Sequence, residues 1–262
     1  NLTIAGVNGA RIEATDDFKN GVVFSIANNG GSVKFENVTI DANEKAVVIL
    51  ITAGELDLKD THVTGGYTSS YVPGVYVTGT ATFKMNGGSI KGNIAENPTD
   101  YYAVYSTDLW IGSQAAGTVG EISGDADIGN VFVNANEAQS DGMGTLTLNG
   151  GNIDLVYVEY DDNRGATFIY VDGTVGKLLL STTTTGTYGE IMEPAKGVYV
   201  GGNIVKNGTK IYGNILDAVS KAQAGDKIEV EGTHKINRKI VIDKNLTIAG
   251  VNGARIEATD DF

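Results

Sequence analysis

The sequence has no cysteine, 3 prolines and 2 histidines among its 262 residues. The absence of cysteine excludes a disulfide scaffold and a zinc–thiolate site. No apolar run reaches the roughly 18 residues that a membrane-spanning helix needs, so we expect no membrane insertion within this segment. Basic residues are also few, 19 against 32 acidic ones, and the net charge of −13 opposes binding to nucleic acid.

Glycine is abundant at 36 residues, and valine, isoleucine, threonine, tyrosine and asparagine are frequent. This mixture is typical of many short strands separated by tight turns. Alternating apolar segments recur along the chain, at Ser32–Glu36, Gly54–Leu58, Ala81–Met85 and Gly144–Leu148. Composition and alternation together predict an all-β fold.

The spacing of these segments indicates how the strands are arranged. Val33, Leu56, Phe83 and Leu109 follow one another at intervals of 23, 27 and 26 residues, which is the length of one coil of a parallel β-helix. Strands this short bury their apolar face only when coils stack at about 4.8 Å. The alternative is an antiparallel sandwich, which would need strands of about 6–8 residues and two-residue hairpin loops.

The two ends of the sequence carry the same segment. Residues Asn1–Phe18 and Asn245–Phe262 are identical, and they are offset by 244 residues. A period of this size indicates that a whole domain is duplicated head to tail. We therefore expect the chain to start inside one copy and to stop inside the next. A segment copied by engineering is the alternative.

One stretch, at residues 214–224, has the periodicity of an amphipathic helix. Ile215, Ala218, Val219 and Ala222 lie at i, i+3, i+4 and i+7, and Gly225 follows as the predicted C-cap. After this helix the apolar period changes to two. Strands are predicted in segments that include Asp226–Glu231, Lys235–Ile242 and Asn245–Ile248.

The stretches Ile215–Ile228 and Gly232–Gly250 resemble the opening of pectin-lyase-like right-handed β-helices. That resemblance implies a right-handed parallel β-helix whose short helix caps the open end of the coil stack. It predicts that residues 1–201 form the body of one repeat unit. Residues 202–262 would form the cap and first coils of the next unit, within a bacterial or archaeal tandem-repeat protein at the cell surface or outside the cell.

Many β-helices of this family are polysaccharide lyases or hydrolases, which need acidic calcium ligands with an Arg or Lys base, or converging carboxylates. Arginines occur only at Arg11, Arg164, Arg238 and Arg255. His62 is expected to be a solvated turn residue. Because no catalytic motif of the family can be carried over, we expect no enzyme activity.

Acidic pairs lie in segments that are expected to form turns, where oxygen-rich loops can bind calcium. They are Asp16–Asp17, Asp125–Asp127, Asp161–Asp162 and Asp260–Asp261. Their spacing fits neither an EF-hand nor a glycine–aspartate nonapeptide repeat. Solvated loops are therefore the favoured interpretation, and we expect no cofactor.

Aromatic residues are clustered in and around an insertion at Gly92–Tyr105. Aromatic rings on a rigid β face can stack on sugars or anchor a protein. The alternative is that they fill the coil interior or pack a loop onto it. The candidate ligand contacts are Tyr71, Tyr101, Tyr102 and Trp110.

Three hypotheses about function follow. The first is a non-enzymatic structural module of a stalk, fibre or adhesin, whose partners are the adjacent repeat units. The second is an adhesin that binds glycans, or proteins of a host or cell surface, through its tyrosine-rich loops. The third is a polysaccharide lyase or hydrolase.

Overall fold

The structure is a computed structural model, and it describes residues 1–18, 21–69, 72–96, 106–112, 119–135, 143–161, 164–182, 187–191 and 193–259. Almost all regular structure in these ranges is β. The strands of the first part are β1 (Leu2–Glu13), β2 (Val22–Asp41), β3 (Val47–Thr64), β4 (Tyr67–Thr68), β5 (Val75–Val77), β6 (Thr82–Ile90), β7 (Ile94–Ala95), β8 (Leu109–Ile111), β9 (Val119–Val133), β10 (Thr145–Val158), β11 (Tyr160–Asp161), β12 (Arg164–Gly165) and β13 (Thr167–Ser181). The remaining elements are β14 (Tyr188–Glu190), β15 (Gly197–Val200), β16 (Ile204–Asn207), β17 (Lys210–Tyr212), α1 (Ile215–Lys221), β18 (Lys227–Ile236) and β19 (Thr247–Ala258).

The strands from β1 to β13 stack as the coils of a solenoid. Strand β1 pairs with β2 and β2 with β3, and the long strands that follow continue this order, all in parallel. The chain makes about 9 turns in all. The predicted parallel β-helix is therefore confirmed, because an antiparallel sandwich would pair successive strands in opposite directions.

Register between coils puts equivalent apolar side chains above one another. One inward ladder contains Val33, Leu56, Phe83, Gly120, Leu146 and Phe168. A second inward ladder contains Ile12, Ile40, Val63, Ile90, Ile128, Ile153 and Val175. Most of these side chains belong to the main cluster, and those of Ile12, Val33 and Val175 pack against it. The main cluster runs through the stacked coils, which we call the body, from Ile26 to Leu180, and it also includes Ile191, Tyr199 and Ile204.

The prediction that one coil of the solenoid runs from Phe83 to Leu109 is wrong. Phe83 pairs with Gly120, whereas Leu109 lies on another face of the coil, between Val75 and Val131. Residues inserted between the strands lengthen this turn. An apolar spacing read along the sequence does not show which face of the coil each residue occupies.

Corners between the faces use backbone conformations that few side chains adopt. Asn8, Asn37 and Asp60 have φ angles of 54°, 53° and 46°, a region in which asparagine and aspartate are tolerated. At Gly88, with φ of 82°, an added Cβ would lie 2.2 Å from the carbonyl oxygen of Thr61 in the neighbouring coil. The corner composition noted in the sequence therefore follows from backbone geometry and close stacking.

The chain beyond the body forms a second sheet, in the order β17-β16-β18-β19, with α1 packed against it. Asn214 caps α1 by accepting a hydrogen bond of 2.9 Å from the amide of Asp217. We call the apolar core beneath the helix the smaller cluster. It contains Val205, Tyr212, Ile215, Ala218, Val219, Ala222, Ile228 and Val230.

Two details of this region differ from the prediction. The helix ends at Lys221 with Ala222 as its C-cap, and Gly225, at φ of 94°, lies in the turn that follows. The predicted strand Lys235–Ile242 ends at Ile236, where β18 stops. Within the described ranges, no strand lies beside residues 239–242, and an isolated segment gains no ladder hydrogen bonds.

The duplicated segment forms a strand at both positions, as predicted. Asn8 and Asn252 have φ angles of 54° and 52°, and the glycines that follow them both have φ of 75°. The local conformation of the segment is therefore the same in both copies.

Candidate functional site

The parallel stack ends where β14 and β15 cover the edge of β13. Both strands run antiparallel to it, with Leu180 opposite Gly189 and Phe168 opposite Tyr199. We call the region from β14 to β18, residues 188–236, the junction. Because an uncovered parallel edge is a template for further strands, this reversal of direction ends the growth of the body.

Tyr199 anchors the junction to the body. Its side chain is buried, its hydroxyl donates to the carbonyl oxygen of Ala195 at 2.6 Å, and its ring stacks on Phe168 with centroids 6.4 Å apart. Burial raises the pKa of the Tyr199 hydroxyl to about 12. The Tyr199 side chain is therefore neutral, and it is fixed both by the hydrogen bond of its hydroxyl and by the packing of its ring.

Glycines allow the elements of the junction to approach closely. A Cβ added at Gly213 would lie 2.4 Å from Cδ1 of Tyr199, and one at Gly202 would lie 2.3 Å from the ring of Tyr160. Both distances are shorter than any normal contact. Side chains larger than hydrogen at these positions would push the helix-bearing part away from the body.

A pair of reciprocal hydrogen bonds crosses the junction. The Asn203 side-chain amide donates to the carbonyl oxygen of Thr233 at 2.6 Å, and its carbonyl oxygen accepts from the amide of Thr233 at 3.0 Å. The neighbouring His234 is buried, and its Nε2 lies 2.9 Å from the carbonyl oxygen of Glu231. Desolvation lowers the pKa of His234, which favours the neutral imidazole.

Strand β16 contributes to both apolar cores. Ile204 lies in the main cluster, and the next residue, Val205, lies in the smaller cluster. Successive side chains of a strand point in opposite directions, so this one strand is buried on both faces. A parallel bridge between Ile191 and Ile211 adds a further contact. The two cores are therefore in direct contact through one shared strand.

The aromatic candidates fall into two groups. Trp110 is 7 % exposed and stacks on Phe132, with ring centroids 4.2 Å apart. With Tyr76 and Tyr157 these residues form what we call the outer aromatic ladder, because the residues flanking Tyr76 and Trp110 point into the main cluster. Trp110 is therefore a packing residue in this structure. The other three candidates, Tyr71, Tyr101 and Tyr102, lie outside the described residues.

The acidic candidates occupy separate places. Asp127 pairs with Lys91 at 2.7 Å, and Asp16 lies 3.6 Å from Lys45. Asp162, Asp260 and Asp261 lie outside the described residues. Across the described ranges, no group of three or more His, Cys, Asp or Glu side chains is arranged to hold a metal ion.

The other polar candidates make local pairs on the surface. His62 is exposed, as predicted, but it lies in β3 rather than in a turn, and its Nδ1 lies 2.9 Å from the hydroxyl oxygen of Ser89. Arg11 pairs with Glu13 at 2.9 Å and also with Asp41. Among the described helices, none is long and apolar enough to cross a membrane.

The sequence analysis did not single out Tyr199, Asn203 or His234. Their roles depend on contacts with residues up to about 30 positions away. The one local signal that could have indicated these residues is the placement of glycine near aromatic residues. Many other glycines in this chain also lie near aromatic residues, so the signal does not single out the junction.

A scan against protein-family models found no match, and searches of curated proteins and of solved structures found none either.

Proposed function

We propose that this chain is a non-enzymatic structural module of a tandem-repeat protein, located at the cell surface or outside the cell. Its solenoid bodies would be joined head to tail into a stalk, fibre or adhesin. The observation that carries the proposal is β16, whose adjacent residues Ile204 and Val205 lie in the two different cores. A flexible linker between units would not be buried on both faces.

The junction favours a stiff connection. The hydrogen bonds between Asn203 and Thr233 and the close approach of Gly213 to Tyr199 restrict rotation between the body and the cap of the next unit. About 9 turns stacked at roughly 4.8 Å correspond to a rod of about 40 Å. Repetition of such a unit would add a constant length per period.

Small-angle X-ray scattering on proteins that contain one, two and three periods tests this proposal. A stiff array gives a maximum dimension that increases by the same increment with each period. Flexibly linked units would instead give a maximum dimension that grows more slowly, and that result would overturn the proposal. Gly213→Trp is expected to shorten the array by bending the junction, whereas Gly21→Ala, in open space, leaves its length unchanged.

A second candidate function is glycan binding near the outer aromatic ladder. Tyr76 lies at one end of this ladder, where it is only half-buried and contacts Trp110 edge to face at 5.8 Å. Aromatic rings on a rigid sheet are suited to stacking on sugars. A glycan array probed with the wild type and with a Tyr76→Ala variant, alongside the Tyr101→Ala and Tyr102→Ala variants of the predicted contacts, tests it. Absence of any bound glycan in the wild type would exclude this candidate.

A further inference from the structure

The outward face of the long parallel sheet changes its chemistry along the solenoid. One row of outward side chains alternates in charge from β2 to β9, through Lys34, Asp57, Lys84 and Glu121. From β10 onward the same row carries no charge, and it contains Thr147, Ile169 and Val198. The change occurs in the middle of the chain, between β9 and β10.

The uncharged positions form one continuous surface, because the neighbouring outward row also lacks charge from β10 to β15. We call this surface the uncharged patch, and it consists of Thr145, Thr147, Thr167, Ile169, Val198 and Val200. Phe168 and Tyr199, which alternate with these residues, point into the main cluster. Side chains alternate between the two faces of a strand, so the patch points away from the core.

The patch is exposed and has a charged rim. Val198 is 58 % exposed, and Val171, at the end of the patch, is 46 % exposed. Glu121 lies on one side of the patch, and on the other side Lys196 forms an ion pair with Asp172 at 2.5 Å. Exposed apolar surface that is rimmed by polar residues is typical of a site of association.

The net charge of the chain bears on which partner this surface suits. At −13, two copies repel each other over most of their surface. A second copy therefore approaches at the lowest electrostatic cost where the sheet face carries no charge. The β-branched side chains of the patch are also suited to packing two sheets face to face, about 10 Å apart.

The size of the patch indicates how strong such a contact can be. Three strands about 4.8 Å apart, each with about four residues at about 3.3 Å, cover roughly 200 Å². A stable interface buries about 800 Å² on each partner, so one patch is too small to hold two single units together. An array repeats the patch with every period of 244 residues. About four periods together reach the area of a stable interface.

We propose that arrays of this protein associate side by side, with the uncharged patch of each period packed on the same patch of a second copy. A two-fold axis along β13 places Ile169 opposite the partner's Ile169 and Thr147 opposite the partner's Val198, so no charged residue is buried. The interface is isologous and closes with two arrays. Because both arrays have the same period, the first contact brings the others into register, and each adds to the avidity. The inference rests on the proposed function, since it needs stiff arrays.

Sedimentation velocity on arrays of one, two and four periods tests this pairing. A single unit is expected to stay monomeric at micromolar concentration. The apparent dissociation constant of the arrays should fall roughly tenfold or more with each doubling of the number of periods. Small-angle scattering of the associated arrays should show a larger cross-section and an unchanged length.

Val198→Lys in every period is expected to abolish association, because it buries an unpaired charge in the contact. The matched control is Thr82→Lys in every period, which adds the same charge to the outward face of β6, beside Glu55. Circular dichroism checks that both variants are folded. The control should associate like the wild type, and equal losses in the two variants would contradict the proposal.

Three further outcomes would overturn the proposal. They are arrays of four periods that stay monomeric, association that lengthens the particle without thickening it, and arrays that stay monomeric but sediment with phosphatidylcholine vesicles. The last result would assign the patch to a membrane surface. The proposed function is tested separately by the length of the Val198→Lys arrays, which do not associate. Flexible arrays would contradict that function, whereas stiff arrays without side-by-side pairing would contradict this inference alone.

Discussion

The two copies of the duplicated segment have one sequence and two environments. In the first copy, Ile4, Ala10 and Ile12 pack against the main cluster. In the second, Ile248 and Ile256 are 37 % and 44 % exposed. Both copies nevertheless form a strand with the same turn. Local conformation therefore follows from the segment itself, and burial follows from its neighbours.

The register partners explain this difference. Ile12 of the first copy lies beside Ile40, which is fully buried in the main cluster. Its equivalent, Ile256, lies beside His234 at the edge of the junction. Ile12 therefore extends a long ladder of apolar side chains, whereas Ile256 has the buried imidazole ring of His234 as its neighbour.

The largest expected effect comes from removing the partner of the first copy. Ile40→Ala leaves a cavity among fully buried side chains and is expected to lower the free energy of unfolding by about 2–5 kcal/mol. Ile256→Ala, at an exposed position, should cost less than about 1 kcal/mol. Urea denaturation followed by circular dichroism measures both values. Similar losses for the two variants would show that the ladder beside the first copy is no better packed than the exposed position in the second copy.

A second prediction concerns what the copies share. Asn8→Ala and Asn252→Ala each place alanine at a φ angle above 50°, and each is expected to cost about 1–2 kcal/mol. Because the strain is local, the two losses in urea denaturation should agree closely. Substitution by glycine at either position should restore stability. Losses that differ between the copies would mean that surrounding contacts determine this turn.

A third prediction concerns the arginine of the segment. Arg11 pairs with Glu13 and with the largely buried Asp41, whereas Arg255 pairs with Glu257 at 3.0 Å. Arg11→Ala should cost about 1 kcal/mol and Arg255→Ala less than about 0.5 kcal/mol, because exposed ion pairs contribute little. The difference should shrink in 1 M sodium chloride. Equal losses of stability for the two variants at low salt would show that the ion pair with Asp41 does not stabilise the fold.

The smallest expected effect is confined to acid solution. The pKa of His234 lies below its ordinary value of 6.5, so the unfolded chain binds a proton first as the pH falls below 6.5. Stability should therefore decrease from that pH down to the folded-state pKa and then level off. His234→Ile, which copies the ladder of the first segment, should weaken this decrease in urea titrations at pH 5–7. His62→Gln, at an exposed position, is the control.

Several features were predictable because they depend on neighbours in the sequence. The helix at residues 215–221 follows from its apolar period, and the structure adds Asn214 as its N-cap. The parallel stacking follows from apolar segments that recur at about coil length. The strands themselves are longer than predicted, with 12, 20 and 18 residues in β1, β2 and β3. Gly225 and the strand at 239–242 were predicted wrongly, because the end of the helix and the formation of that strand both depend on what packs beside them.

By itself, the sequence determined that both copies of residues 1–14 form a strand with a left-handed turn at Asn8 or Asn252, since φ preferences act within a few residues. It also determined the solenoid, through the repeated burial of alternating side chains. Only the tertiary structure decided that Leu109 joins the ladder of Val75, that β16 is shared by two cores, and that β1 and β19 use opposite edges. These are pairings between distant residues, and the same strand can make either of them.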